Sequence, residues 1–195
     1  CDEIKINDET YEIVTNITPL SLCSISEEFI GEKKREITGS YYTPLYVVDF
    51  IVYDSLRLYM EENLIIDKML IKKLILEENV SNIDTFQLQD ILKLLDKVKI
   101  IDIACGTGLF LLNMIQKLFK IKHCIYKKLK LNFDEFREMK RIIEENIFGI
   151  DIQNMPLEIF SLACIDIIAK YKEFDIKDLS INVYQENSIL GNRIY

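Results

Sequence analysis

The chain has no tryptophan, a single histidine (His123) and only three prolines in 195 residues. One histidine leaves little to hold zinc, and Cys1, Cys23, Cys105, Cys124 and Cys164 are scattered without a C-x-x-C pair. The same scatter gives no disulfide framework, which suits a reducing compartment, so a cytoplasmic protein is expected. No apolar run reaches the roughly 18 residues that a bilayer span needs, and Cys1-Asp2-Glu3 is acidic where a signal peptide is basic. Neither a membrane segment nor export is therefore expected. Positive charge is also short, with 24 Lys and Arg against 32 Asp and Glu for a net of -8, which is not the electropositive footprint of a self-sufficient nucleic-acid binder.

What is present is enough for a core, since 49% of the residues are hydrophobic and 29% charged. The length fits one domain or part of a larger one and excludes a multi-domain machine. The missing initiator Met and the ending Asn192-Arg193-Ile194-Tyr195 suggest a segment of a longer chain. The reading divides into an extension over 1–43, helices over 44–97 and an α/β part over 98–195.

Six glycines and three prolines punctuate the chain so sparsely that long helices are favoured. Ile25, Phe29 and Ile30 can line a short helix stopped by Gly31, followed by a charged turn at 32–36. Thr43-Pro44 reads as a helix start, with Thr43 as cap and Pro44 at the first helical position. From there to about Met60, Val47, Val48, Ile51, Val52 and Leu56 recur at helical spacing. A second helix is read over Leu64–Leu76, and Asp84 caps a third whose Leu88, Ile91, Leu92 and Leu95 form one stripe.

Val98–Ile103 is a β-branched run that reads as a buried strand, ending at Gly106 and Gly108. A helix over Leu109–Phe119, a basic mixed segment around 120–130 and a helix from Asp134 to Glu145 then lead to a second strand, Ile147–Asp151. Pro156 opens a helix with Ile159, Phe160, Ala163 and Ile167 inward, and Ile181–Tyr184 is a third strand. Strands alternating with helices imply a parallel, doubly wound α/β sheet.

The turn Asp102-Ile103-Ala104-Cys105-Gly106-Thr107-Gly108 carries the strongest chemical signal, because paired glycines let a ligand approach the backbone where a helix begins. It has neither the full G-x-G-x-x-G of a dinucleotide site nor the G-K-[ST] of a phosphate loop. Asp151 ends the next strand at the same sheet edge, where a carboxylate can accept both hydroxyls of a ribose or instead cap the following helix. The amide of Asn187 can accept from an adenine amino group or form a surface turn. Cys105 has no histidine beside it in sequence and reads as a small packed side chain.

The order of these motifs resembles that of the adenine-specific (N6) DNA methyltransferases, in particular the single-chain type IIG restriction-modification enzymes. Thr38-Gly39-Ser40-Tyr41-Tyr42-Thr43-Pro44 is similar to their upstream cofactor motif, Asp102 to Leu111 to their S-adenosylmethionine loop, and Asn146 to Gln153 to their ribose motif. Ile25–Ile30 resembles the helix before the Tyr-Tyr-Thr-Pro signature. The resemblance implies a Rossmann-like S-adenosylmethionine-dependent methyltransferase fold, incomplete here, with an N-terminal helical extension. By the same resemblance Tyr42 and Thr43 contact the methionine carboxylate, Asp102 lies near its ammonium, and Ala104, Gly106 and Gly108 shape the loop. Asp151 takes the ribose, Ile152 packs on the adenine, and Asn187 reads the adenine edge. Some relatives carry an aromatic residue where Ser188 stands.

The family's catalytic Asn/Asp-Pro-Pro-aromatic motif is absent, because Pro19, Pro44 and Pro156 are never adjacent. The resemblance places that motif just beyond Tyr195, so the chain is expected to be inactive alone. Double-stranded DNA would then be met through the C-terminal part of a longer chain or a partner subunit. Two other classes stay open: a non-catalytic scaffold that offers an open sheet edge to a partner, and an NAD-dependent oxidoreductase.

Overall fold

The computed structural model describes residues 3–6, 9–12 and 43–189. The helix expected at Ile25–Ile30, the turn at 32–36 and Tyr42 lie outside them. Two four-residue strands, β1 (Glu3–Ile6) and β2 (Glu9–Glu12), pair antiparallel in a stretch whose sequence suggested no element.

Helix α1 runs from Leu45 to Asn63. Pro44 occupies its cap in an extended conformation (φ -56°, ψ 140°), and the Pro44 carbonyl accepts from the N–H groups of Val47 and Val48. No side chain caps this end, so Thr43 does not fill the capping role expected of it. It stands one residue before the cap, whereas the capping geometry needs the side chain of the cap residue itself. The buried stripe is Val48, Val52, Leu56 and Met60, narrower than expected, and Ile51 is 42% exposed.

Helix α2 spans Lys68–Glu77, starting later than the sequence suggested because the Asp67 carboxylate accepts from the Met69 N–H and fixes the first turn there. Helix α3, Thr85–Lys97, has the capping box formed by Asp84 and Gln87 and buries Leu88, Ile91 and Leu95 as their spacing requires.

The α/β part comprises β3 (Ile100–Asp102), α4 (Leu109–Leu129), α5 (Glu135–Arg141), β4 (Ile147–Asp151), α6 (Asn154–Ala169) and β5 (Asn182–Gln185). A π-helical turn at Ile142–Asn146 joins α5 to β4, and a short 3-10 turn at Ile176–Asp178 precedes β5. The strands lie in the order β3-β4-β5 and all pair in parallel. Helix α4 continues through the segment read as basic and mixed, because Leu118, Ile121 and Ile125 keep its inner stripe going. It touches β3, β4 and every other helix from α1 to α6, making it the centre of the core.

Register shows which sheet face this core covers. Asp102, Gly149 and Val183 form one row, and a Cβ built on Gly149 would meet Leu111 of α4, so that row faces α4. The neighbouring row, Ile101, Phe148 and Asn182, faces away, and Ile101 is 60% exposed. Helices α4 and α6 touch each other as well as β4, which puts both crossovers on one face. A doubly wound sheet has helices on both faces; the described residues give a parallel three-stranded sheet covered on one. For the same reason β3 is not the buried strand its composition suggested.

Candidate functional site

The turn after β3 connects Asp102 to the first residue of α4. The Cys105 N–H donates to the Ile150 carbonyl at 2.9 Å, continuing the β3–β4 contact beyond the end of β3. The Gly108 N–H donates back to the Cys105 carbonyl at 2.8 Å, closing a tight turn, and Gly108 takes φ +78° as the cap of α4. That conformation favours glycine, and here a side chain is also excluded, since a Cβ would come within 2.0 Å of the Phe160 ring on α6. The underside is packed: Cys105 and Thr107 are buried, and Cys105 fits only because Gly149 opposite has no Cβ.

Asp151 joins the two strand ends. Its Oδ2 accepts from the Gly106 N–H at 2.9 Å and its Oδ1 from the Gln153 N–H at 2.8 Å. Of the two alternatives left open for this residue, the helix cap is not formed, since Gln153 stands at the cap of α6 without a side-chain bond; Asp151 instead braces the turn before α6 and reaches across to the glycine turn. A carboxylate has about four lone-pair positions, so two backbone donors leave room for hydroxyl donors from a ligand.

Asp102 Oδ1 accepts from the Ala104 N–H at 3.1 Å. Burial raises its pKa, the Ala104 hydrogen bond opposes this, and the nearby charge of Asp151 raises it further. Two acidic side chains thus stand close enough to repel, and a cation placed between them would relieve that repulsion. Burial, with the charges of Asp102 and Asp151, pushes the Cys105 thiol up to about 12. It stays protonated at neutral pH and is no nucleophile, in keeping with its packed position.

Of the other residues singled out from the sequence, Ala104 is exposed on the turn and Ile152, just past Asp151, is 63% exposed. Asn187 follows Glu186, whose N–H donates to the Asp151 carbonyl at 3.0 Å, so the end of β5 is fastened to the same corner. The Asn187 Oδ1 accepts from the Ile189 N–H at 3.0 Å, the surface-turn geometry that was its alternative. Thr43 is half-buried before α1. Asp49 of α1 accepts from the Asn113 amide of α4 at 2.5 Å, tying the early turns of the two helices together. That link joins two elements far apart in sequence, and no motif announced it; nor did any motif mark Phe160 as the neighbour of Gly108.

MmeI DNA-methyltransferase domains match residues 76–185, more than half of the chain. The chain belongs to this methyltransferase family. A Methanocaldococcus jannaschii protein named as a type II restriction enzyme and methyltransferase is 27% identical over 215 residues, covering 97% of this chain. The chain spans 17% of that relative's length. The resemblance to restriction-modification methyltransferases is thereby borne out. The matched stretch holds the glycine turn, Asp151 and Ile152, whereas Tyr42, Thr43 and Asn187 fall outside it. No helix among the described residues is long and apolar enough to cross a membrane.

Proposed function

We propose that this chain is the S-adenosylmethionine-binding part of a Rossmann-like DNA methyltransferase that modifies the exocyclic amino group of adenine within a restriction-modification system. The observation that carries this reading is the hydrogen bond from Gly106 to Asp151, which joins the glycine turn of β3 to the acid of β4 in a member of a DNA-methyltransferase family.

The residues fit the charges and shape of that cofactor. Asp102 offers a half-buried carboxylate to the methionine ammonium, and the charge added there relieves its repulsion with Asp151. The start of α4 offers backbone N–H groups to the methionine carboxylate, aided by Thr43 and by Tyr42 upstream of α1. Asp151 accepts the ribose hydroxyls on its remaining lone pairs. Ile152 provides an exposed apolar surface for the adenine, and Asn187 flanks its edge. When bound, S-adenosylmethionine supplies a methyl group activated by a positively charged sulfur.

Double-stranded DNA, in this reading, is engaged by polypeptide outside this segment, in the same chain or a partner subunit, and the setting is cytoplasmic. Calorimetric titration with S-adenosylmethionine, with NAD as competitor, tests the cofactor assignment. Saturable binding that NAD does not displace is expected, and Asp151→Ala should weaken it by roughly tenfold or more through lost hydrogen bonds and a released turn. Displacement by NAD would favour an oxidoreductase, and an unchanged affinity in Asp151→Ala would remove Asp151 from the site.

A further inference from the structure

We propose that Phe160 is a positioning residue for the cofactor loop, holding Gly108 and with it the first turn of α4 at the height where a ligand meets the backbone. This rests on the reading of the turn as an S-adenosylmethionine site. The turn is held at two ends by different means. At its Cys105–Gly106 end the fastening is polar, through the Ile150 carbonyl and the Asp151 carboxylate. At its Gly108 end α4 has no side-chain cap. There Phe160 lies so close that a Cβ on Gly108 would stand 2.0 Å from Cδ2 and 2.7 Å from Cγ of its ring.

Phe160 is fully buried, and it stands on the helix that directly follows the strand bearing Asp151. One stretch, β4 and α6, therefore sets both ends of a turn that belongs to another strand-helix unit. Gly108 is left-handed and lacks a side chain; its backbone bonds to the Cys105 carbonyl and the Leu112 N–H run within the turn and along α4, and the Phe160 ring packs against it from below. A flat ring does this because it can approach the Cα closely over a broad area. A smaller apolar residue at position 160 would keep the core dry and leave a gap under Gly108.

The test compares Phe160→Leu with Ile168→Ala, a fully buried residue two turns further along the same helix, in the full-length protein. Two readouts are used: hydrogen exchange of the peptide covering residues 104–110, and the dissociation constant for S-adenosylmethionine. Phe160→Leu should speed loop exchange and weaken binding by roughly tenfold, while Ile168→Ala, with a comparable loss of Tm, moves neither. Gly108→Ala should weaken binding too, and combining it with Phe160→Ala should cost less than the sum of the two single changes. Equal loop exchange in Phe160→Leu and Ile168→Ala would overturn the proposal, as would strict additivity. If the unaltered protein takes up no S-adenosylmethionine, the cofactor reading fails, and the exchange comparison still decides whether Phe160 holds the loop.

Discussion

At the scale of single residues, the site sets two carboxylates against each other. Burial raises the pKa of Asp102, the Ala104 N–H lowers it, and the charge of Asp151 raises it again, for a net shift above the ordinary aspartate value of 3.8. The ionised form is thus penalised on folding. The free protein bears that penalty at pH values above the raised pKa and sheds it as the pH falls through that value towards 3.8. Asp102→Asn removes the penalty, so the Tm of the free protein should rise at pH 7, with the gain shrinking towards pH 4. Affinity for S-adenosylmethionine should fall by roughly tenfold or more, because the ammonium loses its counter-charge. Thermal melts across pH combined with calorimetry check both halves, and a pH-independent difference in Tm would refute the account of Asp102. The glycines and both acids were legible in the sequence because their chemistry depends on local spacing. Phe160 was legible only as a core residue, because its meeting with Gly108 depends on how α6 lies against α4.

At the scale of elements, α3, α4 and α5 are joined by a knot of four charges. Lys122, fully buried on α4, donates to Asp96 of α3 at 2.8 Å and to Glu138 of α5 at 2.7 Å, and Arg141 reaches the same two acids. Burial alone would raise the pKa of Asp96, but hydrogen bonds from Arg141 and Lys122 outweigh it and hold the carboxyl below 3.8. Its contribution to stability is present above 3.8 and is lost as the pH falls through the lower folded value. Lys122→Ala strips the buried Glu138 of one of its two cations and should destabilise the fold by about 3 kcal/mol, measured by urea unfolding at pH 7. A loss below about 0.5 kcal/mol would mean that Arg141 alone satisfies both acids. The sequence reading lost α4 at this point, where lysines crowd an apolar stripe and a buried Lys looks like a solvated one. Its true end was also hidden, since Lys130 takes φ +55° where a glycine would have marked the stop, as Glu78 does after α2.

At the scale of the whole molecule, the parallel sheet and the order of its elements were readable from alternating strand and helix patterns, but the coverage of its faces was not. Burial of β3 cannot be judged from its β-branched residues, because the same composition serves a strand covered on one side or on both. A methyltransferase acting on a base must also bind the nucleic acid and hold the target out of the stack. This chain, with a net charge of -8 and no adjacent prolines, carries neither a basic surface balance nor an Asn/Asp-Pro-Pro-aromatic segment. The residues to which the proposed function gives a role, Asp102, the glycine turn and Asp151 among them, are all assigned there to the cofactor. The 195-residue chain alone should therefore transfer no labelled methyl groups from S-adenosylmethionine to adenine in unmethylated DNA of mixed sequence, even at low salt, where non-specific DNA binding is strongest. Joined to polypeptide that carries an Asn/Asp-Pro-Pro-aromatic segment and a DNA-binding surface, it should do so under the same conditions if the proposed function holds. Transfer by the isolated chain would show that this segment holds the target base as well as the cofactor, and would move the catalytic groups into it.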